Sequence, residues 1–304
     1  MIGYALKQNQ KKMVKVYKGK YFKPDKLFTR FRNKIIVFDL DETLGQFVEL
    51  HIVYKCLTKI LGRELSQGEF NKLFDMFPEF VRPGIITILE FLYHKKQQSA
   101  FSRLFLYTNN QCGGNWVKFI INYFHVKIKV VDKPLFEDPI CAFKIRNKIV
   151  NLRRTSQDKS YSDLVQCAMF PPAITEVCFI DNTYYEHMCE DKVYYILPKS
   201  YHHSLTKIEI IRRMGKLDVI SSQNHIKLMD LISCSLGENT HSALSYESEM
   251  DITRKIMFHV REFLYFGSAE SEAPVYCIKP ATKTAIRRRG NKGPRKTRKN
   301  MEFV

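Results

Sequence analysis

Short apolar runs rich in β-branched residues alternate along the chain with longer stretches of helical spacing. Residues 34–40 read Lys-Ile-Ile-Val-Phe-Asp-Leu. Such a run has no polar face and predicts a strand buried on both sides. From Phe47 to about Phe77 the apolar positions Leu50, Val53, Tyr54, Leu57 and Ile60 recur at i, i+3 and i+4, which predicts a helix stopped by Gly62. A second short helix is expected near Glu69 to Met76. Arg82-Pro83-Gly84 then opens a helix over Ile85 to Tyr93, with the proline near the first turn, where its missing N–H costs little. Further strands are expected over Leu104 to Tyr107, Val126 to Val131, Glu176 to Ile180 and Lys192 to Ile196. Helices are expected over Trp116 to Phe124 and Tyr161 to Met169, the latter closed by Pro171-Pro172, and residues 134–155 read as irregular. The remainder, Ile208 to Arg213, Ile226 to Cys234 and Ile252 to Phe266, reads as helical with a polar linker from Ser235 to Asp251.

Strands alternating with helices predict an α/β fold: a central, mainly parallel sheet with helices on both faces. A helical insertion follows the first strand, and a helical extension follows the last. The expected divisions are a basic extension at 1–30, an α/β domain at 31–205, a helical extension at 206–270 and a basic tail at 271–304.

Charge changes this picture. The 304 residues carry 49 Lys+Arg against 31 Asp+Glu, a formal net charge of +18. Nine cations and no acid lie between Ala281 and Asn300, which predicts a disordered tail that neutralises nucleic-acid phosphates or serves as a nuclear address. Without residues 281–304 the balance is still +10, so the body too suits an anionic partner. No stretch reaches the roughly 20 consecutive apolar residues of a membrane span, and the first thirty residues lack the apolar core of a signal peptide. The eight cysteines include no C-x-x-C pair, which argues against a disulfide framework or a zinc ribbon. Nucleus or cytoplasm is the expected location, with no export and no membrane partner.

In open parallel sheets the ligand site lies beyond the carboxyl ends of the strands. Here those ends carry Asp39 and Asp41, then Thr108 and Asn109, then Asp181 and Asn182. Two carboxylates two residues apart need a cation between them, and oxygen ligands of this kind favour Mg2+. With their repulsion masked, the first carboxylate can attack phosphorus while the second protonates the leaving oxygen and then activates water. The charge that builds on the transferring phosphoryl needs donors, which the Thr108 hydroxyl and one ammonium can provide. Lys159 is the first candidate for that ammonium, and Lys144 and Lys148 are the alternatives.

The string Val37-Phe38-Asp39-Leu40-Asp41-Glu42-Thr43-Leu44 resembles the first motif of the haloacid dehalogenase superfamily. Its D-L-D-E-T-L form is similar to the NLI-interacting-factor-like branch, which dephosphorylates the C-terminal domain of RNA polymerase II. Arg82-Pro83-Gly84, Leu106-Tyr107-Thr108-Asn109-Asn110, Lys159 in K-S-Y-S-D-L, and Phe179-Ile180-Asp181-Asn182 resemble that branch's later motifs, in order, over about Ile35 to Leu205. The resemblance implies a Rossmann-like phosphatase domain that forms an aspartyl-phosphate. It implies Asp39 as nucleophile and Asp41 as acid/base, with Mg2+ held by Asp39, the Asp41 carbonyl and Asn182 and supported by Asp181. Thr108 and Lys159 would hold phosphate, and Thr43, Asn109 and Arg82 are the further candidates for phosphate or substrate contact. The implied substrate is a phosphoserine or phosphothreonine protein, the polymerase C-terminal domain first among them. Two features differ: the segment after the first motif reads helical where the family often has a β-hairpin, and Asn109-Asn110 replaces small residues.

Three functional readings follow: the protein phosphatase, a nucleic-acid 3′ or 5′ phosphatase using the same site, and a catalytically silent scaffold that binds nucleic acid or polymerase. For Arg82, an ion pair capping the next helix competes with substrate contact. His187 reads as structural, His202 and His203 as surface, and Trp116 as core.

Overall fold

Alternate residues of the central strands fall into two separate apolar clusters, one on each face of a sheet. Ile36, Phe38, Cys178, Ile180, Tyr194 and Ile196 belong to the larger, while Ile35, Val37, Val177, Phe179, Val193 and Tyr195 belong to the smaller. This is the period-two alternation of a strand with an apolar residue at every position. A computed structural model describes residues 13–22, 33–216, 222–238 and 241–266. The strands are β1 (Val14–Lys18), β2 (Asn33–Phe38), β3 (Arg103–Leu106), the short pair β4 (Lys144–Ile145) and β5 (Lys148–Ile149), β6 (Thr175–Ile180) and β7 (Val193–Pro198). The main sheet runs β1-β7-β6-β2-β3, with β7, β6, β2 and β3 parallel and β1 antiparallel at one edge. The chain therefore has an α/β fold with a mostly parallel central sheet.

Helices cover both faces. On the larger-cluster side lie α1 (Val48–Leu61), α2 (Gln67–Asp75), α3 (Ile85–Gln97) and α4 (Trp116–Lys127); α5 (Tyr161–Ala168) lies on the other, through Leu164 and Ala168. Their ends follow local chemistry. Gly62 closes α1 at φ +68°, in the left-handed region that glycine enters without a Cβ penalty. Ser66 and Glu69 form a reciprocal capping box at the start of α2, and the Ser160 hydroxyl accepts the Asp163 N–H at the start of α5.

Two expectations are corrected. Val126 to Val131 is not a strand: Ile120, Phe124 and Ile128 continue one helical stripe, so α4 runs on to Lys127 and then turns, leaving Val131 84% exposed. The basic extension at 1–30 contains β1, in which Val14 and Val16 pack against the core, Lys15 and Tyr17 point the other way, and Lys18 pairs with Glu262 on the helix that ends the described chain. Lysines on an outer strand discourage edge-to-edge pairing with another chain. Two valines are too short an apolar signal to stand out among them.

The last helices, α6 (Lys207–Met214), α7 (Ser222–Ser235) and α8 (Tyr246–Tyr265), share the larger core. On α8, Ile252, Ile256, Val260 and Phe263 are each fully buried, and Lys34 at the start of β2 donates to the carbonyls of Phe263, Leu264 and Phe266 at its end. That ammonium satisfies helix-end carbonyls and meets the negative end of the helix dipole. The 206–270 segment is thus integral to the α/β core where it is described. Phe263→Ala is expected to destabilise the chain by about 3–5 kcal/mol in chemical denaturation, the cost of a cavity beneath the sheet. No helix among the described residues is long and apolar enough to cross a membrane. The lysine-rich residues 1–12 and the basic run from Lys283 to Lys299 lie outside the described residues.

Candidate active site

The parallel register sets Phe38 beside Ile180 on one side and Leu106 on the other. The next residues, Asp39, Asp181 and Tyr107, therefore come level at the carboxyl edge. Strand alternation gives all three the face of Val37, Phe179 and Phe105, which is the α5 side. Strands about 4.8 Å apart hold two such carboxylates one cation's width from each other. Lys159, immediately before the α5 cap, occupies that gap: its Nζ lies 2.5 Å from Asp39 Oδ1 and 2.7 Å from Asp181 Oδ2. The ammonium is buried, and burial works against its charge. Asp181 and Asp39 outweigh burial and hold the Lys159 pKa well above its ordinary value. Burial pushes the Asp181 carboxyl up against the pull of the same ammonium, and its Oδ1 accepts the Thr183 N–H at 2.8 Å.

Asp41 sits one tight turn further on. Glu42 adopts φ +61°, its N–H reaches the Gly45 carbonyl, and Leu44 N–H returns to Leu40. Gly45 is required by close approach, since a Cβ there would lie 2.2 Å from the Phe80 carbonyl oxygen. The turn buries the Asp41 carboxyl, where Asn110 Nδ2 donates to Oδ2 at 2.6 Å while buried Oδ1 has no hydrogen-bond partner. Burial raises its pKa to about 7, with Asn110 pulling down and Asp39 pushing up. A carboxyl tuned to neutrality can give and take a proton at physiological pH.

The other expected site residues divide. Thr108, at the end of β3, is 1% exposed and accepts the Asn110 N–H at 3.0 Å; among the described residues its own O–H has no acceptor. Thr43 is committed elsewhere: its hydroxyl donates to Asn182 Oδ1 at 2.8 Å and accepts the Asn182 N–H at 3.1 Å, so it braces two loops instead of contacting phosphate. Asn109 also has both ends engaged, by Arg154 at 2.8 Å and the Tyr185 hydroxyl at 3.3 Å. Arg82 is fully buried and does not reach the substrate edge. It donates to the carbonyls of Glu42 at 3.0 Å and Lys199 at 2.5 Å, and its Nε lies 3.4 Å from Glu249 Oε2 on α8. A guanidinium's fixed fork of donors suits this role as a strut. His203, expected at the surface, is buried with its ring nitrogen 3.3 Å from Glu49. Lys144 and Lys148, the alternatives to Lys159, lie on β4 and β5, outside the carboxylate cluster.

Sequence reasoning missed three contributors. Asn110 holds the Asp41 carboxyl, and Tyr185 places its hydroxyl on Asn109. Arg154, 2% exposed, stacks on the Tyr107 ring and donates to Asn109, Cys141, Gln157 and Asp158. It ties the loop after β3 to the loop that presents Lys159. Nothing in the basic stretch containing it distinguishes Arg154 from its solvated neighbours.

The donors at this edge are all oxygen. Asp39 and Asp181 share the Lys159 ammonium, Asp39 Oδ2 carries no hydrogen bond among the described residues, and the Asp41 carboxyl is held by Asn110. Oxygen donors are the kind that Mg2+ takes, and Mg2+ keeps several waters and needs few protein ligands. Asn182 Oδ1 receives the Thr43 hydroxyl and keeps a second lone pair. Both Asp181 oxygens are engaged, by Lys159 and Thr183. Among the described residues no three His, Cys, Asp or Glu side chains converge on one point. No family model, no curated protein and no solved structure matches the chain.

Proposed function

We propose that the chain is a Mg2+-dependent, aspartate-based phosphatase of the Rossmann-like haloacid dehalogenase type. The observation that carries this reading is the buried Asp39–Lys159–Asp181 cluster beside an Asp41 carboxyl poised near neutrality, all at the carboxyl edge of a parallel sheet.

Asp39 is the nucleophile. Lys159 holds one of its oxygens, fixing the carboxylate's orientation, while Oδ2 carries no hydrogen bond among the described residues. Attack by Asp39 on phosphorus forms an acyl phosphate and breaks the ester P–O bond, and the departing oxygen takes the Asp41 proton. Asp41, now a carboxylate, removes a proton from water. The hydroxide attacks phosphorus and breaks the acyl bond, releasing inorganic phosphate and restoring Asp39. The Thr108 hydroxyl and the Lys159 ammonium offset charge on the phosphoryl oxygens. A bound divalent ion, held by Asp39, the Asp41 backbone carbonyl and Asn182 with Asp181 behind them, would supply the further positive charge that lets a dianion approach the carboxylates. The resemblance adds phosphoserine or phosphothreonine in a protein as the substrate class, the polymerase C-terminal domain first, and a nuclear location.

Phosphate release from an aryl phosphate tests the reaction. Release is expected with Mg2+, lost in EDTA and restored by excess Mg2+; no metal-dependent release would sink it. Asn110→Ala probes the acid. The Asn110 hydrogen bond holds the Asp41 pKa down, so its loss raises that pKa, and the high-pH fall of kcat/KM is expected to move to higher pH. An unmoved limb would take Asp41 out of the proton-transfer role.

A further inference from the structure

Away from the candidate site, several surface cations are held by carboxylates. Lys20, Arg63, Lys96, Lys127, Arg212 and Arg254 each pair with a carboxylate. Beside the site, buried Arg154 is held by carbonyl and amide oxygens, and the exposed cations around it have no carboxylate partner among the described residues. Residues 139–157 contain Lys144, Arg146, Lys148, Arg153 and Arg154 and no acid. Among the described residues, Lys55 on α1, Arg146 and Lys148 make no ion pair, and the Lys55 ammonium rests over the Tyr54 ring.

Their placement is specific. The β4–β5 hairpin turns through Arg146 and Asn147, at φ +48° and +64°, which puts Arg146 at its tip. Gln111 Nε2 donates to the Lys144 carbonyl at 3.1 Å and the Asn109 carbonyl at 3.0 Å, pinning the hairpin to the loop that carries Thr108 and Asn110. From the other side α1 brings Lys55. The His51 and Tyr54 rings of α1 pack on Trp116, which starts α4 just past Cys112, with ring centroids 4.7 and 5.5 Å apart, so α1 lies against the end of the same loop. The Cys112 N–H donates to Asn110, the residue that holds Asp41.

In place of the phosphoprotein that the resemblance suggests, we propose that the β4–β5 hairpin and α1 form a basic cradle for the phosphodiester backbone of a nucleic-acid strand, whose terminal phosphomonoester reaches Asp39. The proposal rests on the phosphatase reading for what happens at Asp39 and on the unpaired cations for the cradle. A phosphoserine or phosphothreonine brings one dianion, which Lys159, Thr108 and a metal would meet inside the site. Unpaired cations clustered outside it suit further negative charges in sequence, as a phosphodiester chain supplies, and the net charge of +18 steers a polyanion toward the surface.

Binding of a short fluorescent single strand with a terminal phosphate, measured on the full chain in EDTA, reads the cradle without turnover. Lys55→Gln/Arg146→Gln/Lys148→Gln is expected to raise Kd about tenfold at low salt and to reduce the salt slope by about 2, since each lost single-strand phosphate contact is worth about 0.7. Lys20→Gln/Arg63→Gln/Arg254→Gln removes the same charge from cations that already have partners, and is expected to weaken binding less than about threefold. Equal weakening by both variants, or none by the first, would overturn the cradle. A doubly phosphorylated peptide that binds more tightly than the strand and loses more in the first variant would overturn the nucleic-acid assignment in favour of a peptide. Absence of aryl phosphate release is a separate failure, of the phosphatase reading, and leaves the binding result standing.

Discussion

Asparagine in place of Asp39 is expected to lower metal-dependent phosphate release from an aryl phosphate by about four powers of ten or more. The amide preserves the side chain's shape, and its oxygen can still accept from Lys159, which keeps Asp181 as its second partner. It cannot form the acyl phosphate through which the proposed reaction passes. Residual activity would come from water attacking a phosphoryl group still oriented by Thr108 and Lys159. A variant that melts within a few degrees of the parent yet retains more than about a tenth of its turnover would remove Asp39 from the nucleophile's role.

Lys159→Met is expected to destabilise the fold by about 3–5 kcal/mol at neutral pH, measured by chemical denaturation in EDTA so that no divalent ion replaces the ammonium. Methionine fills most of the space but leaves two buried carboxylates facing each other without a cation. Lys159 pulls the Asp181 pKa down against burial, so without it the folded-state pKa of Asp181 rises further, whereas in the unfolded chain it stays in the ordinary carboxylate range. Between those limits the folded state binds more protons, so the variant's stability falls as pH rises and the full penalty stands above the raised folded pKa. Lowering the pH toward the ordinary carboxylate range is expected to recover much of the loss. A variant within about 1 kcal/mol of the parent at every pH would mean that the cluster holds no such charge. Release of aryl phosphate should fall as well, because the same ammonium orients Asp39.

The strands that build the site were legible because each is a continuous apolar run ending abruptly in acid: β2 at Asp39 and β6 at Asp181. Helix limits were legible where a cap residue stood at the end of a stripe, as at Gly62 and Ser160. Two kinds of local reading failed. The apolar residues after Phe124 suit a strand or the last turn of a helix equally well, and only the packing of Ile128 in line with Phe124 selects the helix. In β1 the lysines hide a two-valine strand whose stability comes from its pairing with β7.

The sequence alone determined that β2, β3, β6 and β7 exist, that β2 and β6 end in acid, and hence that Asp39, Asp181 and Thr108 lie at one edge. Tertiary structure decided what every polar side chain there does. Lys159, Lys144 and Lys148 are equivalent as loop lysines, and only the fold puts one of them between two carboxylates. Thr43, Asn109 and Arg82 looked like substrate contacts until Asn182, Arg154 and Glu249, all more than forty positions away, engaged them. Periodicity is a property of neighbours along the chain and can be read there, whereas the protonation and hydrogen bonding of a buried group depend on whatever lies within about 3 Å of it in space.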